Sequence, residues 1–469
     1  MLRPISWAEI FKGGELAAFA GDPLILAVLE SDKNVDLGLE RLLTSVRAGL
    51  LHVVVSLGAM ELPNNTLPLC CALAQQCFIN EYVWGLTDKE AEEVAILNDR
   101  LTNALQERSP VSPFIVAMLA AYKPLIDVSG ARRLLKQALP QAMAQLLDQQ
   151  LSRPAERLSD EKSIRRLTAI NNETSIAVKT QYEENPYPRW VRLAAIEPPQ
   201  PIDDWFQATF PSSPFRRLDK PEALDVLVAG CGTGHHALLF AKSFPMAHIL
   251  AIDLSLPSLS YARQKTREIG IGNVEYAQAD ILEIGNIGRT FDVISSSGVL
   301  HHLADPLEGW RRLLSLLRPN GLMHVGLYSE LARRNVAAAR NWLAESGHPS
   351  VETVDDLRRS RQHLLAFAHD HSALADVLRY PDFYSTSEYR DLLFHRQERD
   401  FDIPEIGRFL EENKLRFIGF NVGAAVRAEF RRSVSEERES DLTAWHEFET
   451  GHPHVFQGMY QFWVQRIEP

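Results

Sequence analysis

An apolar strand running straight into three glycines, each separated from the next by one residue, constrains this 469-residue chain more than any other feature. Leu224-Asp-Val-Leu-Val-Ala leads into Gly230-Cys231-Gly232-Thr233-Gly234-His235-His236. A helix-like run follows, and then Ile249-Leu-Ala-Ile-Asp253. Glycine tolerates positive φ, and without a Cβ it lets backbone come close to a ligand where a strand turns sharply into a helix. Asp253 closes the second strand 19 residues beyond Gly234, and an acid at that place suits a ribose diol.

Three readings meet at this loop. A dinucleotide site asks for Gly-x-Gly-x-x-Gly, which would put the third glycine at 235, and that residue is His235. S-adenosylmethionine (SAM) has no pyrophosphate to seat on a helix N-terminus. It needs only close backbone approach, which Gly-x-Gly-x-Gly supplies. A tight turn with no ligand is the third reading. Downstream, residues 273–280 read as a third strand ending in an acid, Asp280. Phe291–Ser297 reads as a fourth strand and 322–327 as a fifth. Between the last two lies an amphipathic helix at 307–317, stopped by Arg318-Pro-Asn-Gly321. Strands alternating with helices predict an α/β chain with a parallel doubly wound sheet, its ligands beyond the strand carboxyl ends. That rule gathers Gly230, Asp253, Asp280 and residues 296–302 on one rim.

With this element order, glycine loop and pair of acids, residues 224–328 resemble the core of class I SAM-dependent methyltransferases. The resemblance implies a Rossmann-like sheet and SAM as cofactor. It places Gly230, Gly232 and Gly234 at the methionine part, Asp253 at the ribose hydroxyls and Asp280 at the adenine amino group, with Ser297 among the cofactor contacts. Ser297-Gly-Val-Leu-His301-His302-Leu follows the fourth strand, where that class borders the methyl-acceptor pocket. A narrower resemblance runs over nearly the whole chain. Gln181-Tyr182-Glu-Glu-Asn-Pro-Tyr187-Pro-Arg-Trp190 and the runs at 71–84, 382–398 and 453–463 are similar to segments of bacterial methyltransferases often fused behind tetratricopeptide repeats. The repeat itself, with its period of about 34 residues, is not found here, so no peptide-binding role carries over from it.

Composition narrows the partners. A net charge of −12 disfavours a nucleic-acid partner, and the arginine pairs (Arg311-Arg312, Arg431-Arg432) are scattered. The longest apolar run, at 48–60, is interrupted by His52 and Ser56 and falls short of the roughly 20 residues a bilayer takes. Trp7, Glu9 and Lys12 stand where a secretory signal would be apolar. Four cysteines form neither a disulfide framework nor a Cys-x-x-Cys pair, and Cys231 reads as a small residue that fits its loop. The expectation is a cytoplasmic protein without membrane contact, its oligomeric state left open.

Along the chain, 1–150 is expected to be a helical N-terminal domain, with helices at 37–51, 90–105 and 131–147. Residues 151–220 should hold a polar helix at 155–180, the aromatic 182–190 segment as a lid, and a proline-rich connector. The SAM-binding domain should occupy 221–469, with helical insertions at 329–380 and 423–455 and a closing pair of strands at 415–422 and 459–465.

Methyl transfer from a sulfonium is an in-line displacement, so positioning and water exclusion dominate, and a base is needed only where the acceptor sheds a proton. His301 and His302 are the candidate bases. Tyr182 and Tyr187 are candidates beside the acceptor, where Tyr187 and Trp190 would suit a cation. His395 and Glu398, three apart, are expected on one helix face as a relay or a surface pair. The run from His446 to His454 lacks the His-Glu-x-x-His pattern, and no metal is expected. The acceptor is open between a protein side chain, for which Glu183 and Glu184 could attract a lysine or arginine, and a small metabolite or sugar. A non-catalytic SAM-binding scaffold is the third alternative.

Overall fold

The computed structural model describes residues 15–56, 62–195, 198–219, 221–285 and 287–467. By contact the chain falls into two units. The first gathers the described residues of Met1–Ser159 with Arg189–Arg192 and Ala338–Phe394; the second holds those of Asp160–Pro188, Leu193–Ala337 and His395–Pro469. The expectations resting on Trp7, Glu9, Lys12 and the end of the apolar run at Met60 lie outside the described residues. Among the described residues no helix is long and apolar enough to cross a membrane.

The first unit is helical. Leu67–Ile79 is buried along nearly its whole circumference, as an apolar helix must be when neighbours cover every face. Asp88–Glu107 starts on a capping box in which Thr87 and Glu90 satisfy each other's backbone N–H groups. The 131–147 stretch, expected as one helix, is instead short 3-10 turns at Ala131–Lys136 and Gln141–Met143 leading into Ala144–Leu147. Pro140 divides it, because proline restricts the residue before it and offers no N–H. The unit also claims most of the expected 329–380 insertion. The buried carboxylate of Glu40 receives both terminal nitrogens of Arg361, at 2.7 and 2.8 Å, tying helix Leu37–Ser56 to helix Val354–Phe367. The sequence boundary at 221–469 therefore misses a segment that packs with the amino-terminal helices.

The second unit is built on one eight-stranded sheet: β1 (Arg165–Arg166), β2 (Asp225–Ala229), β3 (His248–Asp253), β4 (Val274–Gln278), β5 (Phe291–Ser297), β6 (Leu317–Leu327), β7 (Leu415–Phe420) and β8 (Tyr460–Arg466). The order is β1-β4-β3-β2-β5-β6-β8-β7, parallel except for β8, which runs antiparallel to both neighbours. This is the doubly wound, Rossmann-like sheet expected from the sequence. Leu227 and Ala229 enter the core on one face, Val226 and Val228 the core on the other, as period-two alternation in a doubly covered strand requires. The strand order reverses between β2 and β5, the switch point at which such sheets open a crevice.

Three local expectations change. The polar helix at 155–180 is two helices, Arg153–Asp160 and Glu173–Glu184, separated by edge strand β1. Asn172 restarts the helix by accepting from the N–H groups of Thr174 and Ser175. β6 begins at Leu317 rather than 322, with a register shift against β5 where the Arg318–Gly321 stop was read. Finally, helix Thr386–Phe394 ends before His395, so His395 and Glu398 share no helix face.

Candidate functional site

The glycine loop leaves β2 with Gly230, Gly232 and Gly234 all at positive φ, +73°, +51° and +85°. Space forbids side chains as firmly as conformation does. A Cβ on Gly230 would lie 2.3 Å from Val299 Cγ2, one on Gly232 2.4 Å from the Tyr187 carbonyl, and one on Gly234 2.6 Å from Ala262 Cβ. Asp253, at the end of β3, holds the loop: its Oδ2 accepts from the N–H of Gly232 at 2.8 Å, and its Oδ1 from that of Ser255 at 2.8 Å. Burial pushes its carboxyl up despite these backbone donors. Burial likewise drives the Cys231 thiol well above its ordinary range, which removes it as a nucleophile.

Asp280 follows β4. Its Oδ1 accepts from the Leu282 N–H at 2.9 Å, while its Oδ2 is buried with no hydrogen-bond partner among the described residues. A buried carboxylate oxygen without a donor is costly, by about 1–3 kcal/mol, unless a ligand supplies one. Gly230, Gly232, Asp253, Asp280 and Ser297 all line one cavity of about 210 Å³. Gly234 does not; it turns the chain into helix His235–Ser243 and packs against Ala262.

Three residues of the 182–188 segment, Tyr182, Tyr187 and Pro188, line this cavity. Tyr182, in the last turn of helix Glu173–Glu184, accepts at its carbonyl from Ser255 Oγ at 3.0 Å. The Tyr187 carbonyl accepts from the Thr233 N–H at 3.1 Å, and the Pro188 carbonyl from Thr233 Oγ1. Both tyrosines line the cavity, their rings 6.1 Å apart. Trp190 groups with the helical unit.

Ser297, Val299, His302, Tyr328 and Met459 also line the cavity. Adjacent histidines have separate fates. His302 lines the cavity; His301 does not, its ring fully buried and stacked on Tyr328 at 3.8 Å. Burial, then the neighbouring His302, Arg333 and His395, hold the His301 imidazole far below its usual range, and it stays neutral. Arg333 stacks on Tyr328 at 3.7 Å and pairs with Glu398 at 2.9 Å, bracing the wall.

Two residues that do not line the cavity, His395 and Gln397, bond to side chains that do. The Gln397 carbonyl takes the proton of His302 Nδ1 at 2.8 Å, while its N–H donates to His395 Nδ1 at 3.1 Å. The proton positions follow, because a carbonyl only accepts and an N–H only donates: His302 carries a proton on Nδ1, and His395 carries its proton on Nε2. His395 Nε2 lies 3.2 Å from Tyr182 Oη, and its ring stacks on His302 at 3.7 Å. Nothing local in the sequence announces Gln397, which acts through its backbone. The His446–His454 region is structural: Glu449 accepts from Ser329 Oγ and Tyr460 Oη, and His452 stacks on Phe448.

The cavity fits a SAM-sized group in two respects: a glycine cradle that any Cβ would fill, and an unpartnered acceptor at Asp280 Oδ2 suited to an exocyclic amine. Sequence comparison with known proteins agrees. The family model described as a methyltransferase domain matches residues 220–366. An uncharacterized protein of a Synechococcus strain is 27% identical over 54% of this chain and 61% of its own length. The malonyl-[acyl-carrier protein] O-methyltransferase of Halalkalibacterium halodurans is 38% identical over 23% of this chain and 40% of its own. The chain thus covers less than two thirds of the length of these relatives. Among solved structures, PKMT2 from Rickettsia typhi in complex with AdoHcy aligns at 17% identity over 56% of this chain and 53% of its own, with a TM-score of 0.43. Residues 220–366 match a methyltransferase domain.

Proposed function

We propose that this chain, which carries a methyltransferase domain, moves a methyl group from SAM to a compact acceptor group held against the wall of Tyr182, Ser297, His302, Tyr328 and Met459. SAM supplies a methyl carbon already activated by its sulfonium. Gly230 and Gly232 let backbone approach the methionine part, and Gly234 shapes the turn behind them. Asp253 receives the ribose hydroxyls on lone pairs left over from the loop, Asp280 Oδ2 the adenine amino group, and Ser297 borders the transferred methyl.

On the acceptor side, His302 is the base. Its Nδ1 proton is committed to Gln397, which makes Nε2 the nitrogen that takes a proton from the acceptor nucleophile. Tyr182 is the positioning residue beside it, oriented through His395. Tyr187 acts through its carbonyl as well as its ring, pinning the 182–188 segment to the glycine loop so that water is excluded. His301 sits behind the wall and supports Tyr328.

The observation that carries this reading is the convergence of the glycine cradle, Asp253 and the orphan oxygen of Asp280 on one cavity. The 182–188 segment, hydrogen-bonded to both Thr233 and Ser255, and the malonyl group that the Halalkalibacterium relative methylates both favour a small acceptor or a small group borne on a carrier. A polypeptide side chain is the competing acceptor. Incubating the protein with labelled SAM and size-fractionated extract separates them. We expect label in the small-molecule or acyl-carrier fraction; label confined to ordinary polypeptides would reject the compact acceptor.

A further inference from the structure

The sheet face carrying Val226, Val228 and Val293 is apolar until it reaches the β5–β6–β8 corner. There, alternation puts Ser295, His324 and Gln461 on the same face, under helix His235–Ser243. Polar side chains on a helix-covered sheet face cost free energy unless they are paired. Here they form a line: His236 Nε2 meets Ser295 Oγ at 2.8 Å, and Ser295 Oγ meets His324 Nδ1 at 3.1 Å. The two imidazoles stack at 5.4 Å, 11° from parallel.

This polar line borders a second cavity of about 440 Å³, which none of the three loop glycines lines. Its walls are aromatic: Trp205, Phe240, Phe244 and Trp463, with Trp205 set edge-on to Trp463 at 5.8 Å. Gln461, whose side chain is hydrogen-bonded to His324, also lines the space, and among the described residues no Asp, Glu, Lys or Arg does. Burial holds His236 down to about 4 and His324 down to about 3, assisted by the neighbouring His235 and His236 respectively, so at neutral pH both imidazoles are uncharged. An ion entering would find no counter-charge. A ring would find edge and face partners, and a single hydroxyl or N–H would find imidazole.

We propose that this cavity is a second small-molecule site, taking an uncharged aromatic ring that carries one hydrogen-bonding group. His236 lines both cavities, so the second site shares a wall with the first. The proposal stands whether or not the first cavity takes SAM.

Fluorine NMR of para-fluorophenol titrated into the full chain tests it, with para-fluorobenzoate and para-fluorobenzylammonium as charged counterparts. The phenol should saturate one site and the charged rings bind at least about tenfold more weakly, the mark of an ion left without a partner. Leu239→Trp, which fills the cavity, should abolish phenol binding, and saturating S-adenosylhomocysteine should leave it in place. Should Leu239→Trp fail to fold by circular dichroism, Ser243→Phe reads the same space. Equal binding of all three rings, binding that survives the filled cavity, displacement by S-adenosylhomocysteine, or no saturable binding would each overturn the proposal.

Discussion

At the scale of single residues, Asp280 and His302 carry the most specific expectations. If Asp280 Oδ2 receives the adenine amino group, Asp280→Ala should weaken S-adenosylhomocysteine binding by about tenfold or more. The deaminated inosyl analogue, which offers no such donor, should bind wild type and variant alike. Calorimetry with both ligands decides; equal losses for the two would mean damage to the loop rather than readout of the amine. His302→Ala should slow labelled-methyl transfer about a hundredfold while leaving S-adenosylhomocysteine affinity nearly unchanged, because the base acts only on the acceptor. An unchanged rate would return His302 to a packing role. That Gly230, Gly232 and both acids gather at one cavity was legible in sequence, because a strand–loop–helix turn is local. Which of His301 and His302 faces the cavity was not: that depends on Tyr328 stacking over one ring and Gln397, 95 residues beyond His302, fixing the other.

At the scale of elements, the loop and the 182–188 segment form one device. Gly232→Ala would set a methyl group against the Tyr187 carbonyl at a φ that side chains rarely adopt. The expected result is loss of S-adenosylhomocysteine binding in a chain whose far-ultraviolet spectrum is unchanged. The neighbouring corner predicts a pH response. His236 and His324 are neutral in the fold well below the value of about 6.5 that an unfolded chain gives them. Their stability contribution is intact above that pH and is lost as pH falls toward about 4, because only the unfolded chain takes up protons in that window. The slope is about 1.4 kcal/mol per pH unit for each histidine. Urea midpoints should therefore fall between pH 7 and 5, and less steeply in His324→Gln; a flat profile in wild type would contradict the buried neutral pair. Seven of the strands were readable from alternation and apolar runs. β1 was not, since two residues carry no period, and the 131–147 helix failed because spacing alone does not register what Pro140 forbids.

At the scale of the molecule, two units with separate cores should respond separately. S-adenosylhomocysteine binds only the sheet unit in this account, so it should raise one calorimetric transition and leave the other. Arg361→Leu, which strands the buried Glu40 carboxylate, should lower the unshifted transition by roughly 3–5 kcal/mol of stability. A single transition raised as a whole by ligand would show the units to be one cooperative body. The membership of Ala338–Phe394 in the helical unit was beyond sequence reading, because the pair that declares it joins residues 321 positions apart. The measurement that bears most directly on the central claim is calorimetric titration of the intact chain with S-adenosylhomocysteine, beside NAD and the Asp253→Ala variant. Micromolar binding of the adenosyl compound to wild type, none of NAD, and loss in the variant is the predicted result. No adenosyl binding, or full affinity in Asp253→Ala, would contradict it.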